Sequence, residues 1–180
     1  VGLQLYSIRN DCAADLPGTL AAVAKMGYAG VEFAGTYDRS ATELRTMLDD
    51  LGLKCCGSHI RIDALLGDAL SAAVECNQNL GNKYLIVPGL AEEYRNSRAA
   101  WLHTAGIFNE IAERLRPYGM LTGYHNHFIE CCQGFFQRNI DHGIVSCLKF
   151  LFFIPDECKN EHSGPAAGEL LVIRLELAAE

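Results

Sequence analysis

The stretch MGYAGVEF, residues 26–33, contains the pattern that predicts the fold. Gly27 follows an apolar-periodic helix at the position just past its end, where a left-handed backbone costs glycine little free energy. The apolar strand GVEF, residues 30–33, follows directly after this turn. The same order of helix, glycine and strand recurs at Gly52, Gly81 and Gly119, so the chain repeats one structural unit.

Five strands are predicted from this repeat and from the opening of the chain. Their sequences are GLQLYS (2–7), GVEF (30–33), LKCCGSHI (53–60), KYLIVPG (83–89) and MLTGYHNH (120–127). The helices between them have recognisable starts: Pro17 follows Asp15, Ser97 is a suitable N-cap, and Ser40 with Glu43 forms a capping box. Strands that alternate with helices in this way predict βαβ units and a parallel sheet.

The spacing of these units favours a (β/α) barrel of the TIM type over a doubly wound sheet. A doubly wound sheet usually carries a glycine-rich phosphate loop after its first strand, and the residues there, YSIRNDCAAD (6–15), contain no glycine. About five β/α units can be recognised, whereas a complete barrel has about eight. The predicted fold is therefore an α/β TIM-type barrel that is incomplete, with an atypical C-terminal tail.

The composition is that of a globular protein and argues against several classes of function. Hydrophobic residues make up 49% of the chain and charged residues 21%, which argues against disorder. The formal net charge of −7 argues against binding to nucleic acid, which requires clustered Lys and Arg. No apolar run approaches the roughly 18 residues of a membrane span. We therefore predict no nucleic-acid partner and no membrane partner.

The eight cysteines contain no C-x-x-C pair, so a zinc ribbon is not predicted. Their number permits a disulfide framework, but such frameworks belong to small loop-rich domains, and free thiols in a reducing compartment are favoured. We therefore expect a cytoplasmic protein. A removed leader is the alternative, because the chain begins at Val1 inside a strand-like run.

Polar residues gather near the end of four of the five predicted strands, where a barrel places its chemistry. They are Gln4, Glu32, His59 with Arg61, and His125 with His127. Glu32 is expected to face a pocket, because an unpaired buried carboxylate is expensive. The other roles stay open at this point: Gln4 can satisfy backbone groups, His59 can be a hydrogen-bonded core residue, and Arg61 can be solvated.

Two pairs of these residues are separated by two positions and therefore share a face of an extended chain. His125 and His127 bring two imidazoles to one pocket, which suits metal ligation or proton transfer, and Glu130 follows close enough to join them. Arg61 shares its face with His59 and could receive a phosphate or sugar hydroxyls.

Four segments of the chain, taken in order, resemble the sugar phosphate isomerase/epimerase family: GLQLYSIRND, GYAGVEFAGTY, LGLKCCGSH and GYHNHFIE. That family has a xylose-isomerase-like TIM barrel, related in fold to endonuclease IV. The resemblance extends from Val1 to about Glu130. It implies a metal-dependent isomerase or epimerase of a small-molecule sugar or sugar phosphate. The implied cofactor is a divalent metal, most often Mn²⁺, with Mg²⁺, Zn²⁺ or Co²⁺ as alternatives.

The resemblance also implies roles for individual residues. The implied catalytic residues are His127 and Glu32. Glu130 and His127 are the implied metal ligands, and His127 is alternatively an acid or base. His59 is implied to line the substrate, and Arg61, His125 and Gln4 are expected to bind it because they lie at the same ends of the strands.

Residues 131–180 depart from the family pattern, so we expect a partial barrel over 1–130 and a divergent tail over 131–180. In the family, later strands supply an aspartate, a histidine and a glutamate to the metal site, and no counterpart is recognisable after Glu130. The metal site is therefore expected to be incomplete, with loss of the cofactor as the extreme case. The open barrel edge would be covered by CLKFLFFI (147–154), by LLVIRLEL (170–177), or by a second copy of the chain in a homo-oligomer.

Three functions are compatible with these observations. The leading one is a sugar isomerase or epimerase, impaired by the missing strands. The second is a non-catalytic fragment that binds a carbohydrate or a partner chain. The third is a metal-dependent nuclease for abasic sites, which rests on fold relatives alone and is disfavoured by the acidic charge.

Overall fold

The computed structural model describes residues 1–125 and shows a parallel sheet of five strands. The strands are β1 (Gly2–Gln4), β2 (Gly30–Phe33), β3 (Lys54–His59), β4 (Tyr84–Val87) and β5 (Leu121–Tyr124). They lie in the order β1-β2-β3-β4-β5, and every neighbouring pair is parallel. In a doubly wound sheet the order of the strands reverses at a switch point. The sequential order is that of a TIM-type barrel, as predicted, and the described part of the sheet is not closed.

Helices connect the strands as the repeat predicts. They are α1 (Arg9–Ala14), α2 (Leu16–Lys25), α3 (Ala41–Asp50), α4 (Ala69–Leu80) and α5 (Arg98–Leu115). The predicted starts are confirmed: the side chains of Asp15 and Ser97 cap α2 and α5, and Ser40 with Glu43 forms the capping box of α3. The four glycines that precede the strands have φ between 64° and 88°, the left-handed backbone expected of them.

Two strands are shorter than the sequence suggested. β1 ends at Gln4, and Leu5–Ile8 forms a 3₁₀ turn that places Leu5, which is fully buried, in the core. β4 ends at Val87, because Pro88 has no N–H to donate to a neighbouring strand. In both places the chain leaves the sheet earlier and enters the loop that borders the candidate site.

The apolar core lies between the helices and one face of the sheet. Its first part packs the beginning of the chain and β2 against α2 and α3, through Leu5, Leu20, Val31, Phe33, Leu44 and Leu48. Its second part packs β4 and β5 against α4 and α5, through Val74, Leu85, Val87, Phe108, Ile111 and Leu115. Each such side chain contributes about 1.5–3 kcal/mol when it leaves water. This packing fixes the positions of the strands that carry the polar residues.

The register between β2 and β3 shifts by one residue. The pairs are Gly30–Lys54, Val31–Cys55, Glu32–Gly57 and Phe33–Ser58. Cys56 is therefore the extra residue of a β-bulge. Cys55 packs against the core on the helix side, whereas Gly57 lies against Glu32 on the other face. Because side chains alternate along a regular strand, an unbroken β3 would turn His59 toward the helices, and the bulge turns it toward Glu32 instead.

Some predictions can be checked only within residues 1–125. Within residues 1–125 the cysteines at 12, 55, 56 and 76 are free thiols, as expected. No helix in this range is both long and apolar enough to cross a membrane. The tail over 131–180, with its two apolar segments, lies outside the described residues.

Candidate active site

Four polar side chains meet where the strands end. Gln4 is the last residue of β1, Glu32 is the third residue of the four in β2, His59 is the last residue of β3, and His125 follows β5 directly. The carboxyl ends of parallel strands lie at one edge of the sheet, which is where TIM-type barrels place their chemistry. The structure therefore brings together four of the seven residues singled out in the sequence.

The carboxylate of Glu32 is the centre of this cluster. Its Oε1 accepts a hydrogen bond of 2.9 Å from Gln4 Nε2 and lies 2.9 Å from His59 Nε2. Glu32 is only 4% exposed and His125 only 6%. A carboxylate removed from water to this degree is expensive unless donors surround it, and Gln4 and His59 are those donors. Glu32 is thus both buried and partnered, and it faces the other polar side chains.

The amide of Gln4 also approaches both histidines. Its Nε2 lies 3.4 Å from His59 Nε2 and 3.4 Å from His125 Nδ1, and the two imidazole rings stand edge to face with centroids 5.5 Å apart. When His59 Nε2 carries the hydrogen that it donates to Glu32, it has no lone pair for Gln4. The second amide hydrogen of Gln4 then goes to His125 Nδ1. This assignment pairs a donor with an acceptor in the Gln4–Glu32, His59–Glu32 and Gln4–His125 contacts.

Gly57 makes room for the carboxylate. It is the β3 partner of Glu32, and a Cβ at this position would lie 3.0 Å from Glu32 Oε2 and 3.4 Å from its Cγ. Sequence reasoning missed Gly57, and the signal was present, because a glycine inside a strand marks a bulge or a close approach. The C-C-G sequence at 55–57 combines both.

A buried hydrogen-bond network fixes β3 on the face that packs against the helices. Ser58, the neighbour of His59 on the helix side, donates to Asn77 Oδ1 of α4 at 2.7 Å. The Nδ2 atom of Asn82 contacts Ser58 Oγ at 3.0 Å, donates to Asn77 Oδ1 at 2.8 Å, and donates to the carbonyl of Tyr84 at 2.8 Å. Fully satisfied polar networks of this kind rigidify their surroundings. The backbone that carries His59 is therefore fixed to α4 and to β4.

The other three predicted site residues are not part of the described cluster. Arg61 lies past the end of β3, where its side chain is 84% exposed and pairs with Asp63 at 2.9 Å. His127 and Glu130 lie outside the described residues. As the sequence indicated, β4 contributes no ionisable group at this edge, since it ends in Ile86 and Val87.

The cluster has the donor atoms of a divalent metal site. One atom each from Glu32, His59 and His125 lie within 4.8 Å of one another. Two imidazoles and one carboxylate are a donor set that Zn²⁺ and other transition metals accept. Ligands about 2.0–2.2 Å from one ion lie roughly 3–3.5 Å apart, so Glu32 Oε1 and His59 Nε2, which are 2.9 Å apart, need only a small separation to hold one. The residues present therefore fit a divalent cation.

No protein-family model matches the sequence, and no curated protein matches it. Among solved structures, the chain is similar to an AP endonuclease, family 2, from Brucella melitensis, with 19% identity and a TM-score of 0.50 over 60% of this chain and 48% of that one. It is also similar to a xylose isomerase-like TIM barrel/4-hydroxyphenylpyruvate dioxygenase fusion protein, with 20% identity and a TM-score of 0.50 over 68% of this chain and 21% of that one. An L-ribulose 3-epimerase aligns with 20% identity and a TM-score of 0.48 over 68% of this chain and 48% of that one.

The chain thus spans about half or less of the length of these proteins. At such identities the likeness concerns the fold. It agrees with the strand order, the parallel pairing and the position of the polar cluster at the carboxyl ends of the strands. The chain therefore has the α/β fold of the xylose isomerase-like TIM barrels, and its described residues form five consecutive strands of that barrel.

Proposed function

We propose that this chain acts on a small sugar or sugar phosphate as a metal-dependent isomerase or epimerase. The observation that supports this most is the convergence of Gln4, Glu32, His59 and His125 at the carboxyl edge of the sheet. The sequence resemblance described above and the fold point in the same direction. Isomerases and epimerases of sugars move a proton on carbon, which requires a fixed base and polar groups that bind hydroxyls.

Glu32 is the proposed base of this reaction. Its carboxylate takes a proton from the carbon beside the sugar carbonyl through one oxygen, which leaves the other oxygen and a ring nitrogen of His59 for a cation. Return of the proton to the neighbouring carbon gives an isomer, and return to the same carbon from the opposite side gives an epimer. Gln4 and His125 orient the hydroxyls of the substrate, and His127 is proposed as a second acid or base.

A divalent metal, Mn²⁺ in the first instance, would be held by the carboxylate and imidazoles of Glu32, His59 and His125. It would polarise the carbonyl and hydroxyl oxygens of the sugar. Glu130 and His127 are proposed as additional ligands. Because its side chain is exposed at the rim, Arg61 is proposed to contact a phosphate or an outer hydroxyl of the substrate.

Titration of the full chain with Mn²⁺ by calorimetry tests the metal site. We expect about one ion per chain and a loss of affinity of about ten- to a hundredfold in Glu32→Gln and His125→Ala. Glu75→Gln removes an exposed carboxylate of α4 and should leave the affinity unchanged. If His127→Ala and Glu130→Ala lose binding while Glu32→Gln and His125→Ala keep it, the metal does not bind at the cluster.

Exchange of carbon-bound hydrogen tests the chemistry. The metal-loaded chain is incubated in D₂O with a panel of ketoses, aldoses and their phosphates, and deuterium incorporation is followed by NMR. Incorporation that disappears in Glu32→Gln supports the proposal. Saturable sugar binding without incorporation in any member of the panel would instead support the non-catalytic alternative.

A further inference from the structure

We infer that Gln4 is a fourth ligand of the cation site and that its amide group rotates by half a turn when the ion binds. This inference rests on the proposed cation site at Glu32, His59 and His125. Gln4 contacts all three of these side chains: its Nε2 lies 2.9 Å from Glu32 Oε1 and 3.4 Å from a nitrogen of each histidine. The amide group therefore stands beside the place where the three donor atoms converge.

In the described structure the amide presents its NH₂ group to the cluster. An NH₂ group carries partial positive charge and two hydrogens, so it stabilises the carboxylate of Glu32 and the lone pair of His125 Nδ1. It has no lone pair to offer a metal ion. A cation held by the same three atoms would meet the positive end of this dipole at close range, and the orientation that favours the metal-free cluster disfavours the loaded one.

Rotation of the amide by half a turn about its terminal bond resolves this conflict. Oxygen and nitrogen exchange places, and Oε1 then offers a lone pair to the cation. The same change would be unfavourable without the ion, because Oε1 would face the carboxylate of Glu32 at hydrogen-bond distance with no hydrogen between them. Gln4 thus suits both states of the site, with the nitrogen inward when the site is empty and the oxygen inward when it is filled.

Substitutions at position 4 show whether Gln4 binds the metal or only fills the space beside it. In Gln4→Leu the oxygen is lost at similar side-chain length, and we expect the affinity for Zn²⁺ and Co²⁺ to fall by about tenfold or more. In Gln4→Glu an oxygen always faces the cluster, and we expect the affinity to rise. If Gln4→Leu binds either metal as tightly as the wild type, or more tightly, Gln4 is no ligand and the inference is overturned.

The visible absorption of the Co²⁺-loaded full chain gives a second readout. Cobalt d–d bands report coordination number and the kind of ligand, and loss of one oxygen ligand should shift and change the intensity of these bands in Gln4→Leu. Identical spectra of wild type and Gln4→Leu would overturn the inference. Far-ultraviolet circular dichroism and thermal unfolding of both variants establish that they are folded.

The controls separate this inference from the proposed function. If the wild type binds metal, His125→Ala does not, and Gln4→Leu is unchanged, only the role of Gln4 fails. If the wild type binds neither Zn²⁺ nor Co²⁺ saturably, the cation site itself fails and the role of Gln4 fails with it. Deuterium incorporation then decides by itself whether the cluster transfers protons without a metal.

Discussion

At the scale of single residues, the site depends on the missing side chain of Gly57 as much as on its polar side chains. Glu32 is buried, and its Oε2 occupies the space beside Gly57 where any other residue would have a Cβ. Its Oε1 meets Gln4 and His59. The glycine therefore allows the carboxylate to lie against the neighbouring strand and to aim one oxygen at the histidines.

Gly57→Ala should accordingly impair the site without unfolding the chain. The added Cβ at 3.0 Å from Oε2 displaces the carboxylate, and we expect a loss of about tenfold or more in metal affinity, measured by calorimetry. Gly89→Ala is the matched control, because a Cβ there meets nothing within 4 Å and φ is not positive. Equal metal affinity of the two variants would contradict this account of Gly57.

Much of the described cluster could be predicted from the sequence at this scale. Gln4, Glu32, His59 and His125 stand near strand ends, and the parallel sheet brings strand ends to one edge. The position of Arg61 could not be predicted in the same way. Its shared face with His59 assumes that the strand continues, but the strand ends at His59, and Asp63 two residues further on offers Arg61 a partner.

At the scale of elements, the ends of helices were the most predictable features, because they are determined by local hydrogen bonds. The capping box of α3 is complete: Glu43 N–H donates to Ser40 Oγ at 3.2 Å, and Ser40 N–H donates to Glu43 Oε2 at 2.8 Å. The hydrogen bonds from Ser40, first that of its backbone, lower the pKa of the Glu43 carboxyl below its usual 4.5. A lowered pKa in the folded state stabilises the fold above that value.

Ser40→Ala should therefore have an effect that depends on pH. Near pH 7 we expect a loss of about 0.5–2 kcal/mol in the free energy of unfolding, measured with urea. The stability that comes from the lowered pKa of Glu43 is complete above pH 4.5 and is lost as the pH falls further and Glu43 is protonated in the folded chain too, so the cost of the substitution should shrink in this range. Thr42→Ala, an exposed substitution in the first turn of α3, is the control. A cost that is the same at pH 7 and pH 3 would contradict a role for the ionised carboxylate.

The lengths of the strands were less predictable than the helix starts, because tertiary contacts determine them. The sequence GLQLYS alternates well enough for a strand through residue 7, yet burial of Leu5 turns the chain after Gln4. The position of the bulge was less predictable still. Gly57 within LKCCGSHI marks a bulge or a close approach, but only the pairing with β2 shows that Cys56 is the extra residue.

At the scale of the whole molecule, the described residues form an open sheet whose edge strands are β1 and β5. The order of the strands followed from the repeat in the sequence. Whether residues 131–180 or a second chain cover the edges remains a prediction, since the tail lies outside the described residues. An unpaired strand edge offers a row of N–H and C=O groups to another strand, which is why we expect it to be covered.

A buried thiol and a buried phenol should make the stability of the fold depend on pH in the alkaline range. Burial raises the pKa of Cys55 from 9.0 to about 12, and burial raises that of Tyr37 from 10.0 to about 12. The hydroxyl of Tyr37 is buried with no hydrogen-bond partner among the described residues, and the nearby Cys12 thiol raises the pKa of Tyr37 further. Both groups are neutral when folded and ionise first in the unfolded chain.

The contribution of these groups to the free energy of unfolding should therefore be complete below pH 9 and decline as the pH rises from 9 toward 12. Each such group contributes at most about 1.4 kcal/mol per pH unit to the decline. Urea unfolding at pH 8 and pH 10.5 measures it, and Cys55→Ala should lose less stability between the two values than the wild type. Parallel losses in the wild type and Cys55→Ala would show that the Cys55 thiol plays no part. Cys76→Ala, a second partly buried thiol, is a useful comparison because its pKa is raised less far.

The bulge at Cys56 has a consequence for the gene that encodes this chain. Val31 pairs with Cys55 before the bulge and Glu32 with Gly57 after it, so the alternation of side chains between the two faces of the strand is shifted by one residue at Cys56. Loss of the single codon for Cys56 would keep the reading frame and every other amino acid. It would also remove the extra residue, so that Cys55 and Gly57 become neighbours in a regular strand, Gly57 stays opposite Glu32 and His59 stays on the side of the cluster. Loss of the codon for Gly57 would instead place a residue with a Cβ opposite Glu32, so among deletions of one codon in this strand that of Cys56 should be tolerated best.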